Sequence, residues 1–303
     1  MRKTRLLSSL VSIAIISPAL AGDWWTSNLT PQVVTGNYPG SPIRESLNTT
    51  GGVLDFQYLE RFGFAVGETH LNLRYQYNLP SLTQDAAYFS VRDMLTPDAL
   101  PGTLTLRMDA YRITGNDPTN ETDGATIYSP IISFLNYDES YYLDFGYAYG
   151  SYGRSTIGNG DLNLSQVTPT FGFAFNEKQD WLQFRLYGIH SSNPVRSQNV
   201  SQTFGSEITL THYITPNYFF IPKEVQLGSY IGERIYAVDN TALIVFNLGD
   251  LQKDSVFAQA KWYISDHADF ILNGGSFNFN TLYYGSNYSY QLNYIYAGIN
   301  FKF

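Results

Sequence analysis

From Tyr294 to the C-terminus the residues alternate without a break. Phe303, Phe301, Ile299, Ala297 and Ile295 fall on one face of an extended strand, and Lys302, Asn300, Gly298, Tyr296 and Tyr294 on the other. A two-residue period marks a β-strand with one apolar face, because successive side chains point to opposite sides. The same period recurs along the chain. Leu71, Leu73, Tyr75 and Tyr77 alternate with His70, Asn72, Arg74 and Gln76. Leu104, Leu106, Met108 and Ala110 alternate with Thr105, Arg107 and Asp109. Tyr141, Leu143, Phe145 and Tyr147, then Val167, Phe171, Phe173 and Phe175, then Leu182, Phe184 and Leu186 repeat the pattern. After residue 21 no run of ~18 apolar residues occurs, so the sequence encodes no transmembrane helix. A closed β-barrel can still cross a bilayer, since its backbone groups pair between strands and only alternate residues need be apolar. The expected fold class is therefore all-β, an antiparallel up-and-down transmembrane barrel. A composition only 44% hydrophobic is compatible with it.

A chain that ends on an aromatic residue inside such a strand resembles the C-terminal strand of Gram-negative outer-membrane β-barrels. Here Phe303 is the terminal residue, with Phe301 and Gly298 at fixed offsets before it. The resemblance implies an outer-membrane location, contact with outer-membrane lipids, and recognition of Gly298, Phe301 and Phe303 by the barrel-assembly machinery. The other terminus agrees. Arg2, Lys3 and Arg5 precede a short apolar run from Leu6 to Ile16, Pro18 breaks it, and Ala19-Leu20-Ala21 is a small-x-small cleavage site. Residues 1–21 read as a secretory signal cleaved after Ala21, and residues 22–303 as one barrel domain.

Tyr and Phe, at 25 and 20 residues against three Met, suit the aromatic girdles that barrels carry at both membrane interfaces. There is no Cys, which excludes disulfides, thiolate metal sites, a Cys nucleophile and lipid anchoring through Cys. The leader takes three of the 18 basic residues and none of the 26 acidic ones, so the remainder is acidic and offers no basic patch for nucleic acid. The four His (70, 190, 212 and 267) show no metal-ligand spacing, and no Gly-rich phosphate loop is present, so no cofactor is expected.

The connections alternate in length. Residues 136–139, 176–179 and 265–267 read as tight turns, and 114–124, 152–163, 191–201 and 281–288 as long connections rich in Gly, Asn, Ser and Thr. Such barrels have short periplasmic turns and longer outer loops. Counting back from a terminal strand that ends in the periplasm gives strands at 102–113, 125–136, 139–150, 165–175, 181–191, 202–214, 222–231, 253–264, 268–280 and 289–303. That parity requires 232–252 to be one outer loop, despite the strand-like Thr241 to Asn247. Earlier strands at 28–36, 51–60, 68–78 and 85–95 make fourteen. Twelve result if the segment before residue 50 is a periplasmic arm and one further candidate fails. Pro130 and Pro169 interrupt two otherwise regular strands.

The face opposite the apolar one collects Asp55, His70, Arg74, Arg92, Arg107, Asp109, Asp144, Arg185, Glu207, Glu224, Lys261 and Lys302. Charges at membrane depth are tolerated where they meet water or each other, so these residues are expected to line a lumen and set its selectivity. The expected function is a porin-like passive channel for small hydrophilic solutes. Two alternatives stand beside it. His190-Ser191-Ser192-Asn193 resembles the His-x-Ser-Asn core of outer-membrane phospholipase A, which implies acyl hydrolysis by Ser192 with His190 as base, oriented by Asn199 or Asn193. The family's Gly-Arg after the Asn is replaced by Pro194-Val195. The third class is a non-conducting, adhesin-like or structural barrel. Asp117, Glu121 and Asp123, with Asn116 and Asn120, form an acidic loop that either binds Ca²⁺ or is simply solvated.

Overall fold

The computed structural model describes residues 24–59, 61–119, 121–156, 160–215, 220–239, 244–283 and 285–303. The expected leader, its cleavage point after Ala21, and Asn120 lie outside the described residues. Fourteen strands close into one barrel, so the count of fourteen holds over twelve. In chain order they begin with β1 (Trp25–Asn37), β2 (Arg44–Tyr58), β3 (Phe62–Tyr75), β4 (Leu82–Leu95), β5 (Gly102–Gly115), β6 (Thr126–Asn136) and β7 (Tyr141–Ser155). They continue with β8 (Gly160–Phe175), β9 (Asp180–Ser191), β10 (Gln202–Tyr213) and β11 (Glu224–Gly232). A small separate hairpin, β12 (Val238–Asp239) and β13 (Ile244–Val245), follows before β14 (Leu251–Ser265), β15 (Ala268–Tyr283) and β16 (Ser286–Lys302).

Every barrel strand pairs antiparallel with its sequence neighbour, and β1 closes on β16 with Leu29 opposite Phe301 and Val33 opposite Ala297. The seam ends on two backbone hydrogen bonds between Ser27 and Phe303, at 3.2 and 2.9 Å. An even strand number puts both termini at one end. At the other end the longest connection is 233–250. Two expected long connections, 152–163 and 281–288, are largely strand, since pairing runs on to Ser155 opposite Gly160 and to Tyr283 opposite Ser286. Strand β2 likewise begins well before the expected residue 51 and β3 before residue 68.

The two prolines do not end their strands. At Pro130 the β6–β7 ladder skips from Tyr128/Tyr149 to Ile131/Gly146. Pro has no N–H to donate there, and the Ser129 hydroxyl donates instead to the Tyr147 carbonyl at 3.1 Å. Pro169 keeps its place opposite Phe145 in β7, while the β8–β9 ladder skips from Val167 to Thr170.

The outer wall carries the apolar belt a lipid-facing barrel needs, including Leu106, Phe145, Phe171, Leu186, Phe204, Val256 and Ile295, all exposed. Near the termini Trp25, Tyr58 and Phe64 form an aromatic patch, with ring centroids 5.1 and 6.2 Å apart. Strand β3 corrects the sequence reading. Leu71, Leu73 and Tyr75 face inward, where Leu73 packs with Tyr38, Leu47, Leu82, Phe279, Tyr290 and Leu292. Alternation defines two faces but not which one is inside. Here one side of the interior is itself apolar, so the stripe that reads as lipid-facing is lumenal.

Candidate functional site: a lumen narrowed by its own loop

The described parts of the connection after β11, residues 233–239 and 244–250, do not stand out from the barrel. The stretch Ile235-Tyr-Ala-Val238 is apolar and would be costly to leave in water. It turns inward at Gly232, whose φ of +114° is open to Gly and strained for other residues. A Cβ there would also sit 2.5 Å from the Phe204 carbonyl. Ile235, Tyr236 and Val238 then bury against Ile113, Ile127, Tyr152, Leu162 and Leu164 of the wall. Further on, Phe246 meets Phe277 edge-on at 5.8 Å, and Leu248 packs on the cluster around Leu73.

Polar tethers fix the segment. The Gln166 amide brackets Val238, donating to its carbonyl at 2.7 Å and accepting its N–H at 3.0 Å. Asn247 donates to the Thr122 carbonyl at 2.8 Å, and the Tyr236 hydroxyl to the Arg196 carbonyl at 3.1 Å. Burial pushes the Tyr236 hydroxyl well above its ordinary pKa, so it stays a donor. Asp250 pairs with Arg44, whose guanidinium also donates to the Tyr290 hydroxyl at 2.7 Å.

Beside the segment lies a charge cluster. Arg185 is 3.7 Å from Glu207 and 3.4 Å from Asp239. Arg234 is 3.9 Å from Glu207, and its guanidinium lies over the rings of Tyr230 and Phe246, 4.4 Å from each. Nearer the termini Arg92 makes a bidentate pair with Asp55 at 2.6 and 2.9 Å. Arg107 meets Asp109 at 3.0 Å, and Asp109 also accepts from Ser90 at 2.7 Å. Asp144 accepts from Tyr142 at 2.9 Å, Glu224 stands opposite Lys261 in register, and Lys223 and Lys302 both reach Asp269. Where such charges are paired, their attraction offsets part of the desolvation cost that a lone buried ion would carry.

Arg92, Arg107, Asp109, Asp144, Arg185, Glu207, Glu224, Lys261 and Lys302 thus lie on the inward faces of their strands. Arg74 and His70 do not. They share the outward face of β3, because Leu71 and Leu73 take the inward one. His70 there meets Asp85 at 2.5 Å. Sequence reading missed Arg44, Gln166, Arg234, Asp239 and Asp250. An available signal was the apolar run inside a connection assigned to water.

Beneath the segment a cavity of about 660 Å³ remains. One side is apolar, from Leu47, Leu71, Phe277, Phe279, Leu292 and Tyr294; the other carries Arg185, Glu207, Arg234 and Asp239.

The proposed hydrolase residues sit on the outer wall at the end away from the termini. His190 and Ser192 are exposed, and no hydrogen bond joins them. The Ser192 hydroxyl instead accepts the Asn163 N–H at 2.9 Å. Asn199 lies in a turn at φ +62°, its N–H bonded to the Pro194 carbonyl, and the Asn193 side chain donates to the Asp161 carbonyl. His190 and Ser192 thus form no base–nucleophile pair. In the acidic loop, Asp117 accepts from the N–H and hydroxyl of both Thr119 and Thr122. Burial opposes its ionisation, but these bonds hold its carboxyl below the usual range. Asp123 accepts from the Gly115 and Gly124 N–H groups. These carboxylates cap turns, and among the described residues no cluster of acidic or His side chains is arranged for a metal.

No protein-family model matches the chain, and no curated protein matches its sequence. Solved structures do match its fold. The Pseudomonas putida toluene transporter TodX superposes with a TM-score of 0.54 at 8% identity, over 94% of this chain and 91% of that one. A bacterial polysaccharide outer membrane secretin gives 0.53 at 11% identity, over 91% and 98%. The Acinetobacter baumannii outer membrane protein Omp33 gives 0.46 at 10% identity, over 92% and 99%. The fold is that of outer-membrane β-barrels.

Proposed function

We propose that this chain is a passive diffusion channel in a Gram-negative outer membrane, admitting small hydrophilic solutes through a lumen narrowed by residues 233–239 and 244–250. The observation that carries this reading is the inward-folded segment with a cavity beneath it. A barrel whose only role is to present loops has no use for a segment tethered inside it. The closed strand order, outward apolar belt and terminal aromatic strand support the location. That the matched TodX is named a transporter supports passage of a solute, while its substrate stays its own. The termini are assigned to the periplasm, so the segment enters from the outer side. A leader ending at Ala21 delivers the chain, and the strand ending at Phe303 hands it to the assembly machinery.

Passage then depends on two features. The segment sets the largest solute cross-section. The paired charges keep the path wet without one dominant sign, so ions are only weakly selected. Replacing Arg107 and Arg185 by Gln removes positive charge and leaves Asp109, Glu207 and Asp239 behind. Reversal potentials in planar bilayers under a KCl gradient should move toward cation preference. An unchanged potential in channels of unchanged conductance would place these side chains off the conduction path and refute the assignment.

A further inference from the structure

The apolar belt of the outer wall is interrupted on β3. With Leu71 and Leu73 inward, alternation turns Glu68, His70, Asn72 and Arg74 outward, and the register with β2 and β4 runs unbroken from Phe62 to Leu73. Phe62 marks the periplasmic end of the strand. At about 3.3 Å per residue and a tilt of about 40°, Glu68 stands ~15 Å above Phe62 and His70 ~20 Å, inside a belt about 25 Å tall. On the far wall apolar residues hold this level. Leu186 lies six residues above Asp180 and Val167 eight above Phe175, both exposed. Ionisable side chains at membrane depth ordinarily pair with one another or line water. His70 and Asp85 pair at 2.5 Å. Glu68 makes no hydrogen bond or ion pair within the chain.

The neighbours of Glu68 in register are Gly52 on β2 and Ala87 on β4. Both are small, so the carboxylate stands in a notch of the outer wall. In membranes, small residues let two elements approach closely, and polar side chains then bond across the contact. Beyond Ala87 the same register line reaches Arg112 on β5, exposed and held by the Gly124 carbonyl at 3.0 Å and the Thr126 hydroxyl at 2.6 Å. We infer that the outward face of β3–β5 is where two copies of this chain meet. The face carries both signs, Glu68 and Asp85 with Arg74 and Arg112, which suits a self-complementary contact rather than an anionic lipid headgroup. A two-fold interface repeats every contact. About an axis along the membrane normal at Ala87, β3 of one copy lies against β5 of the other. Glu68 of each copy then comes to the side that carries Arg112 in the other, and the two Ala87 methyls meet at the axis. The inference rests on the outer-membrane placement and goes beyond the channel reading.

The chain has no Cys, so Ala87→Cys introduces a single thiol. Oxidation of isolated outer membranes with copper phenanthroline, read on non-reducing gels, should convert most of this variant to a reducible species of twice the chain's mass. Leu186→Cys, on the far wall, should give at least tenfold less. Adding Glu68→Arg to Ala87→Cys sets like charges together and should lower the yield at least fivefold, and adding Arg112→Glu as well should restore most of it. Heat-modifiable migration confirms that each variant folds. Should Glu68→Arg fail to fold, the comparison of Ala87→Cys with Leu186→Cys still decides. No cross-link at Ala87→Cys, equal yields at both positions, a product of any other mass, or a yield indifferent to Glu68→Arg in a folded protein overturns the interface. Conductance without the cross-link would remove the interface and leave the channel. A cross-link in a barrel that does not conduct would remove the channel and leave the interface.

Discussion

Arg44 shows how a single residue holds the lumen's shape. It leads into β2, stacks beside Tyr38 and Tyr290 at 5.7 and 5.8 Å, and pairs with Asp250 at the end of the inward segment. Both side chains are nearly buried, at 11% and 4% exposure. Breaking such a pair from one side leaves a lone buried charge and costs about 3–5 kcal/mol, whereas an apolar pair of similar volume is often neutral. Arg44→Met should therefore loosen the end of the segment and raise the open-channel current noise, and Arg44→Met/Asp250→Leu should restore most of the quiet behaviour. Equal noise in both variants would show that Asp250 is not held by Arg44. Ser129 makes a smaller case. Its hydroxyl replaces the donor that Pro130 lacks, so Ser129→Ala should cost about 1 kcal/mol. The readout is a lower temperature for the shift in heat-modifiable migration, and no change would mean that the Tyr147 carbonyl finds another donor. Neither role was legible from residue type. Arg44 has no partner nearby in sequence, since Asp250 lies across the barrel interior. The cost at Pro130 was foreseen, but its relief by the residue just before was not.

At the scale of elements, the strands were the legible part. Alternation located the fourteen strands, and the count back from Phe303 gave the parity that places 233–250 at the end opposite the termini. Two things escaped. The first was strand length: polar extensions such as 152–155 and 286–288 look like loop, yet they pair as strand above the apolar belt. The second was the face of β3. A lumen with an apolar side breaks the assumption that apolar means lipid, and Arg74 was misplaced for that reason. The terminal strand makes its own prediction. Phe303 exchanges two backbone hydrogen bonds with Ser27 and so ends the seam that closes the barrel. Deleting it should leave a protease-sensitive chain that no longer fractionates with the outer membrane. Normal insertion of the truncated chain would contradict the role given to the terminal residues.

For the whole molecule, the barrel is a closed wall, and the proposed function rests on what fills it. A fourteen-stranded wall encloses more space than its own side chains readily fill. Here the described parts of a connecting segment occupy some of that space and leave a cavity with an apolar and a charged side. The candidate site was half legible for this reason. The lumen charges on the strands follow from parity, but Arg234, Asp239 and Asp250 sit in a connection, and no periodicity announces that a connection folds inward. The account stands or falls on whether that segment narrows a conducting path. The most direct measurement compares single-channel conductance in planar bilayers for the wild type and for a variant with residues 235–248 replaced by a short Gly-Ser linker, heat-modifiable migration confirming that both fold. Small, ohmic steps are expected from the wild type and steps several-fold larger from the variant. No steps from either protein, or equal conductance in both, would contradict it.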